Sequence, residues 1–484
     1  MKISMEELLK EEMFTRDNIK TDSRSVGDGD VFVAIKGTSS DGHDYIKEAL
    51  DKKASLVICE REPAGMEDEC RQKIRIVEDT SEALATAAKH VFDDPSGSLT
   101  VYGVTGTNGK TTTVFLIDSI LASNGVSGGI ISTVFNRSRG DDLERSVMTT
   151  PDLLRINWFL SEMVSDGKQA AVVEVSSHAL SQKRISGISL DCAVFTNITP
   201  EHLDYHGDME SYLRDKAMIF GNLKPGGSAV LNADDPRVAG LVKTLDLEDV
   251  VTFGMSGHAD VRAEDAVLRD TGTEFTLVSE YGENIVIKSV LIGRHNVYNM
   301  LAGAAAVLST GIPMDAVRKG LERRGTVPGR LDAVASEAPF RVFVDYAHTP
   351  DALENVLGCL RPLAEGRLIC VFGCGGDRDR TKRPQMGRIA VLLCDKVILT
   401  SDNPRSEDPG DILDEIEKGV SDKTNYSIIE ERKNAIGEAL SSAGAGDIVI
   451  IAGKGHEDYQ IIGDEVLHFD DKETAGAILR DMGY

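Results

Sequence analysis

The stretch Val101-Tyr102-Gly103-Val104-Thr105-Gly106-Thr107-Asn108-Gly109-Lys110-Thr111-Thr112 constrains the fold of this chain more than any other. A β-branched run passes through a glycine loop into Lys-Thr and then into a helical pattern, an order that belongs to an α/β sheet with its ligand at the carboxyl edge. Small residues at Gly106, Thr107, Asn108 and Gly109 let backbone N–H groups approach phosphate oxygens, and the following helix turns its positive end toward them. Lys110 can reach terminal phosphates, and the Thr111 hydroxyl, followed by Thr112, can ligate magnesium. The usual phosphate-loop spacing places a glycine where Val104 stands, so the loop here is the shorter Gly106-x-x-Gly109-Lys110-Thr111. An ordinary glycine turn would leave the Lys-Thr pair unexplained, and ATP with Mg²⁺ is the expected ligand.

Length and charge set the outer bounds. The 484 residues suggest roughly three domains at about 150 residues each. The chain carries 53 basic and 79 acidic side chains, 53 − 79 = −26, which argues against nucleic acid or an anionic membrane as the main partner. Anionic substrates would need local Arg and Lys clusters. The amino terminus, Met1-Lys2-Ile3-Ser4-Met5-Glu6-Glu7, is acidic where a secretory leader is basic, and no later segment offers about 18 uninterrupted apolar residues. A cytoplasmic protein is expected. The 7 cysteines show no metal or redox spacing, and Cys59, Cys192, Cys370 and Cys394 lie in apolar runs, as reduced core residues do.

Short apolar runs at Ser55–Cys59, Ala171–Val175, Leu368–Phe372 and Ile448–Ile451 alternate with helical patterns, the signature of parallel sheets covered on both faces. Turn-rich breaks at Asp93–Ser98 and Thr326–Arg330 divide the chain into three α/β domains, 1–97, 98–328 and 329–484.

Glu174 ends an apolar strand and should emerge at the same sheet edge as the phosphate loop, where a carboxylate is a natural magnesium ligand. A second strand, Cys192–Phe195, runs into Thr196-Asn197-Ile198-Thr199-Pro200-Glu201-His202-Leu203-Asp204-Tyr205-His206-Gly207, whose density of titratable groups suggests a reaction site. A helix over Met209–Phe220 places Lys216 on the face of Tyr212 and Phe220. From pattern alone this lysine belongs at the surface, its ammonium in water.

Four motifs then make the pattern specific: Gly106-Thr107-Asn108-Gly109-Lys110-Thr111; Glu174-Val175-Ser176-Ser177-His178; Thr196-Asn197 to His206 with Lys216; and Gly293-Arg294-His295-Asn296-Val297-Tyr298-Asn299. In this order they resemble the Mur ligase family of bacterial cell-wall synthesis, and the likeness covers nearly the whole chain. Thr21-Asp22-Ser23-Arg24 with Gly29-Asp30-Val31-Phe32-Val33-Ala34 resembles the nucleotide-sugar domain of members that add the third amino acid. Asp402-Asn403-Pro404-Arg405 resembles the recognition motif of those using diaminopimelate.

The resemblance implies an amino-terminal UDP-binding domain, a central phosphate-loop ATPase domain with a mostly parallel sheet, and a Rossmann-like carboxyl-terminal domain. It implies an ATP-dependent ligase that joins meso-2,6-diaminopimelate to UDP-N-acetylmuramoyl-L-alanyl-D-glutamate through an acyl phosphate, and a monomer is expected. Lys110 would hold the β- and γ-phosphates, Thr111 and Glu174 one Mg²⁺, and His202 would take part in binding a second. Lys216 matches the lysine that carbon dioxide carbamylates to N6-carboxylysine, which can then face magnesium. ATP contacts are further implied for His295, Asn296, Asn299, Arg330 and Asp345, although the asparagines could equally be polar helix surface. Ser23 matches the residue at the uridine end, and Thr149, Thr150, Ser176, Gln182 and Arg184 match those along the muramoyl-peptide path; Thr149-Thr150-Pro151 also suits a helix cap.

In the third domain Gly373-Cys374-Gly375-Gly376-Asp377-Arg378-Asp379-Arg380 follows a strand and could pass for a second nucleotide loop. The resemblance instead assigns this region to the amino acid. Arg378, Asn403 and Arg405 would hold its distal carboxylate, and the Gly453 carbonyl and Glu457 its distal ammonium. A lysine-adding member and a folylpolyglutamate synthetase are the nearest alternatives, which the amino-terminal domain and Arg405 disfavour. A phosphate-loop kinase and a catalytically silent regulator are alternatives of other classes.

Overall fold

In the computed structural model, which describes residues 2–9, 14–37, 40–63, 65–245, 247–323, 325–420 and 424–484, the short apolar runs become buried parallel strands. Met1 of the acidic amino terminus lies outside the described residues. The chain divides into two compact units, Met1–Val261 with Ala302–Val317, and Arg262–Leu301 with Arg318–Tyr484.

The first unit opens with four parallel strands in chain order, Ile19–Lys20, Val31–Val33, Leu56–Cys59 and Ile74–Ile76. Helix Thr80–Val91 is started by Asp79, whose carboxylate accepts hydrogen bonds from Ser81 N and Glu82 N. Its buried Ala83, Leu84, Ala87 and Ala88 join Val31, Val33, Leu56 and Ile58 in one core. The larger sheet of this unit runs Val250–Gly254, Leu223–Asn232, Leu190–Phe195, Thr100–Thr105, Ala170–Glu174 and Gly128–Ile131, all parallel, followed by the antiparallel Phe135–Arg137 and Glu144–Arg145. The phosphate-loop strand Thr100–Thr105 therefore lies between the strand that ends at Glu174 and the strand that leads into Thr196-Asn197. Three successive chain turns leave the sheet side by side at its carboxyl edge, the crevice in which such sheets bind ligands.

Helix Lys110–Ser123 is buried from Thr111 to Leu121, not on one face only. Gly303 allows that enclosure: a Cβ there would lie 3.3 Å from Leu116 Cβ. The helix expected over Met209–Phe220 is α-helical over Met209–Ala217, capped by Asp208, and tightens to a 3₁₀ turn at Met218–Asn222.

In the second unit, strands Arg341–Asp345, Ile448–Ala452, Leu368–Phe372, Lys396–Leu399 and Tyr426–Ile428 pair in parallel, and Asp332–Ala333 adds an antiparallel edge. Two antiparallel pairs also belong to it, Gly272–Ser279 with Ile285–Ser289 and Tyr459–Ile462 with Glu465–His468. All seven cysteines are free, and Cys59, Cys192, Cys370 and Cys394 are buried as expected. No helix among the described residues is long and apolar enough to cross a membrane.

Candidate functional site

The phosphate loop is built by its neighbours as much as by its own residues. Gly106 has φ +144°, and a Cβ there would stand 1.9 Å from Thr196 Oγ1, so only glycine fits. Val104, at the position of the missing glycine, is a buried strand residue paired with Val194 and Glu174, which explains the shortened loop. Asn108 N donates to Asn197 Oδ1 at 2.9 Å, and Asn197 Nδ2 and Thr196 Oγ1 donate to Asn108 O at 3.0 and 2.6 Å. Lys110 begins the helix after Gly109 and folds back over the loop, donating to Gly106 O at 3.1 Å and Thr107 O at 2.8 Å. Thr112, beside it, is buried in the first turn.

Glu174 is only 1% exposed. Its carboxylate accepts from Thr111 Oγ1 at 3.1 Å on each oxygen and from Thr133 N at 3.0 Å. A buried anion beside a threonine hydroxyl and a phosphate loop fits a Mg²⁺ whose remaining ligands are phosphate oxygens and water. Among the described residues no group of three or more His, Cys, Asp and Glu side chains could hold a metal by itself.

Lys216 departs from its surface pattern, being 1% exposed. Tyr212 and Lys216 turn toward the phosphate loop, with Lys216 Nζ donating to Gly106 O at 2.7 Å and lying 4.7 Å from the Tyr212 ring centre. Burial, and then the nearby Lys110 cation, push its pKa well below the ordinary lysine value. The fold thereby favours the neutral amine, the form that can add to carbon dioxide.

His202 caps the short helix Leu203–His206 in a left-handed conformation (φ +55°), and its side chain is 46% exposed. Partial burial, followed by Lys110 and Lys216, lowers its pKa against the pull of Glu201. Its ring meets His178 edge-on at 4.7 Å, and burial with neighbouring His202 and His206 takes His178 down to about 4. His206 bridges Asp215 Oδ2 at 2.6 Å and Ser177 Oγ at 3.0 Å, tying the helix of Lys216 to the turn after Glu174. Sequence pattern had singled out none of Ser177, His206 and Asp215 individually, because their link exists only across three separate elements.

A cavity of about 700 Å³ opens between the amino-terminal sheet and the helices of the first unit, with Ser23, Gln182 and Arg184 in its wall beside Arg24, Lys36 and Lys183. Thr149, Thr150 and Ser176 lie outside that wall but link it to Glu174. Arg184 Nη1 donates to Thr150 O at 2.9 Å, Thr150 Oγ1 to Glu174 O at 2.8 Å, Ser176 N to Thr150 Oγ1 at 3.0 Å, and Thr133 Oγ1 to Thr149 Oγ1 at 3.0 Å. The cap expected at Thr149-Thr150 is instead Asp152, because Thr150 is committed to the Glu174 turn.

In the second unit His295 is exposed, whereas Asn296 and Asn299 are buried and not polar surface. Asn296 Nδ2 donates to Ile292 O at 2.9 Å and Asn299 Nδ2 to Asn296 Oδ1 at 3.0 Å. Asp345 accepts from Leu331 N at 2.7 Å and Ala347 N at 2.8 Å, and burial raises its pKa against the pull of Arg330. Arg330 lies 4.8 Å over the Tyr346 ring.

The same unit assembles Asn403, Arg405, Gly453 and Glu457. Asn403 Nδ2 donates to Glu457 Oε2 at 2.9 Å, and burial, then Asp402, raise the Glu457 pKa. Arg405, in a left-handed conformation at φ +54°, donates from Nη1 to Gly376 O at 2.7 Å. Gly453 has φ +116°, and a Cβ there would lie 2.7 Å from Asp402 Oδ2. Arg378 is exposed and donates to Asp377 O at 3.0 Å. The glycines at 373–376 serve chain packing: a Cβ on Gly373 would meet Thr400 O at 2.1 Å, and one on Gly376 would meet Pro404 O at 1.8 Å. Buried Arg383, which sequence pattern passed over, joins Gly375 O to Glu407 and Glu415 and sets where this loop lies.

Comparison with known proteins bears on the whole chain. Residues 16–92 match the Mur ligase family catalytic domain, 104–307 the Mur ligase middle domain and 329–455 the Mur ligase glutamate ligase domain. A UDP-N-acetylmuramoyl-L-alanyl-D-glutamate–2,6-diaminopimelate ligase of Gloeobacter violaceus is 45% identical over 458 residues, 94% of this chain and 92% of the relative. The ligase of the same name from Halalkalibacterium halodurans is 43% identical over 467 residues, 96% of this chain and 94% of its own. A solved structure of a protein so named superposes with a TM-score of 0.69 at 32% identity, covering 96% of this chain and 95% of the other. The MurF ligase from Thermotoga maritima in complex with ADP shares the fold at a TM-score of 0.60 and 22% identity, each chain covered to 97%.

Proposed function

This chain belongs to the Mur ligase family, and we propose that within it the chain joins meso-2,6-diaminopimelate to UDP-N-acetylmuramoyl-L-alanyl-D-glutamate, converting ATP to ADP and phosphate during peptidoglycan precursor synthesis. The observation that carries this reading is the full-length likeness to ligases of that name, in a chain that also gathers Asn403, Arg405 and Glu457 at one sheet edge.

A carboxylate is a poor electrophile, and phosphorylation makes it one. A D-glutamyl carboxylate oxygen attacks the γ-phosphorus of ATP, ADP leaves, and the amine of the amino acid attacks the acyl-phosphate carbonyl. The tetrahedral adduct collapses to the amide, expelling phosphate as the amine loses its proton. The loop N–H groups of residues 106–109 and the Lys110 ammonium would orient and neutralise the phosphates as charge shifts toward ADP. Thr111, Glu174, His202 and carbamylated Lys216 would hold Mg²⁺, which when bound screens the repulsion between the anionic reactants. Support for the carbamate is the burial of Lys216 against a carbonyl oxygen, where a neutral amine is favoured and an acquired carboxylate would change the sign of the site.

The ~700 Å³ cavity with Ser23, Gln182 and Arg184 would take the nucleotide sugar and lead its peptide along Thr150 and Ser176 toward Glu174. His295, Asn296, Asn299, Arg330 and Asp345 are proposed nucleotide contacts, and Arg378, Asn403, Arg405, Gly453 and Glu457 the diaminopimelate contacts. Three domains, 1–97, 98–328 and 329–484, are proposed, a division supported by the three separate family matches at 16–92, 104–307 and 329–455. Free cysteines and dependence on ATP suit the cytoplasm.

The test supplies UDP-muramoyl dipeptide, ATP and magnesium with meso-diaminopimelate, L-lysine or L-ornithine, and identifies products by mass. The diaminopimelate tripeptide should dominate, with phosphate released only when both acceptor substrates are present. Phosphate release with one substrate alone would indicate a kinase, and a dominant lysine product would move the chain to another branch of the family.

A further inference from the structure

The hairpin Tyr459–Ile462 with Glu465–His468 lies beyond residue 455, where the glutamate ligase domain match ends, and no role has yet been attached to it. Its first strand nevertheless runs along Asp402–Arg405. Gln460 Nε2 donates to Asp402 O at 2.7 Å, and Ile461 N donates to Asn403 Oδ1 at 2.9 Å. Arg405 N donates to Ile461 O at 3.0 Å, and Gly463 N donates to Arg405 O at 2.7 Å. Lys454, fully buried, donates to Tyr459 O and lies 3.4 Å from Asn403 Oδ1.

These bonds determine how two recognition side chains are presented. Asn403 could turn its amide either way, but Ile461 N–H and the Lys454 ammonium both demand an acceptor and hold the oxygen on their side. The amide nitrogen is thereby directed to Glu457 and the space beside it. Arg405 occupies a left-handed conformation that a non-glycine residue keeps only where neighbours enforce it, and here both its N–H and its C=O are bonded to the hairpin.

We propose that this hairpin is the element that sets amino-acid selectivity, with Gln460 as a positioning residue that holds the Asp402–Arg405 segment in register. The inference rests on the proposal that this segment recognises the distal end of diaminopimelate. Gln460 bonds the backbone of the recognition segment at Asp402 O, so its loss should loosen recognition without altering phosphoryl transfer.

The experiment is steady-state kinetics of full-length Gln460→Ala and Gln460→Glu. The first removes one neutral hydrogen bond, and the KM for diaminopimelate should rise about 3- to 10-fold, with kcat and the KM values for ATP and UDP-muramoyl dipeptide within about 2-fold of wild type. The second places an acceptor against Asp402 O and should raise that KM further. In both, the preference for diaminopimelate over lysine should narrow, with thermal melting close to wild type. An unchanged diaminopimelate KM in both variants, or equal rises in all three KM values, would overturn the hairpin's role. A wild type without preference for diaminopimelate would overturn the underlying reading instead, so the two failures are separable.

Discussion

Lys216 occupies a place where a cation is costly: 1% exposed, bonded to a carbonyl and close enough to Lys110 to be repelled. The proposed carbamylation would convert that liability into an anion. Lys216→Ala should lose at least about 100-fold in ligation rate and regain part of it when formate or acetate is supplied, whereas Lys216→Arg should not recover, since it retains the charge. Phosphate release with and without added carboxylate measures this, and full activity in the alanine variant would refute it. Arg405 is the corresponding residue at the proposed amino-acid end. Lysine lacks the distal carboxylate and would leave the guanidinium without its partner, a difference of roughly 1.5–3 kcal/mol, or about 10- to 100-fold. Arg405→Ala should raise the KM for diaminopimelate and narrow its advantage over lysine, with the KM for ATP unchanged; wild-type preference in the variant would exclude the assignment.

Among the elements, the phosphate loop is shaped by the Thr196-Asn197 turn beside it. Gly106→Ala would bring a methyl within 1.9 Å of Thr196 Oγ1 at a φ of +144°. The loop must then shift, and the variant should lose about 2 kcal/mol or more of stability together with most ATP affinity, read by urea unfolding and nucleotide titration. Unaltered nucleotide binding would show that the loop does not hold the phosphates. The helices argue similarly. Lys216 was expected at a helix surface because a lysine on a partly apolar face usually carries its ammonium out to water, yet the face of Tyr212 and Lys216 is the one packed on the loop. The glycine run at 373–376 had two possible meanings, and the close approaches of Thr400 O and Pro404 O assign it to packing between chain segments.

For the molecule as a whole, the net charge of −26 is opposite to what anionic substrates would prefer, so the proposed binding would depend on cations placed locally, Lys110 at the loop and Arg184, Arg24 and Lys183 around the cavity. Burial and local ion pairs set the response to acid. His178 has a folded pKa of about 4, below the unfolded value near 6.5, so between these values the unfolded chain binds more protons and stability falls as the pH is lowered. Asp22, bonded to Arg24, and Glu407, bonded to Arg383, are each held near 2, and the stability they confer disappears as the pH falls from about 4 toward 2. Urea midpoints measured from pH 7 to 4.5 should therefore decline, and His178→Gln should flatten that decline; an identical slope in the variant would show that His178 titrates normally in the fold.

Local order in the chain was enough to determine the α/β class, the phosphate loop with Lys110 and Thr111, and the emergence of Glu174 at the same edge, because strand, turn and helix are specified over a few residues and parallel sheets align their carboxyl ends. The Asp402–Arg405 motif was legible only through its resemblance to the family's diaminopimelate motif. Tertiary structure alone decided that Lys216 is desolvated, that Asn299 is buried, that His206 links Ser177 to Asp215, and that a hairpin more than fifty residues away holds Arg405. Each of these depends on which distant atoms close around a side chain. Desolvation and hydrogen-bond partnership are properties of that enclosure, and nothing in the spacing of neighbouring residues encodes them.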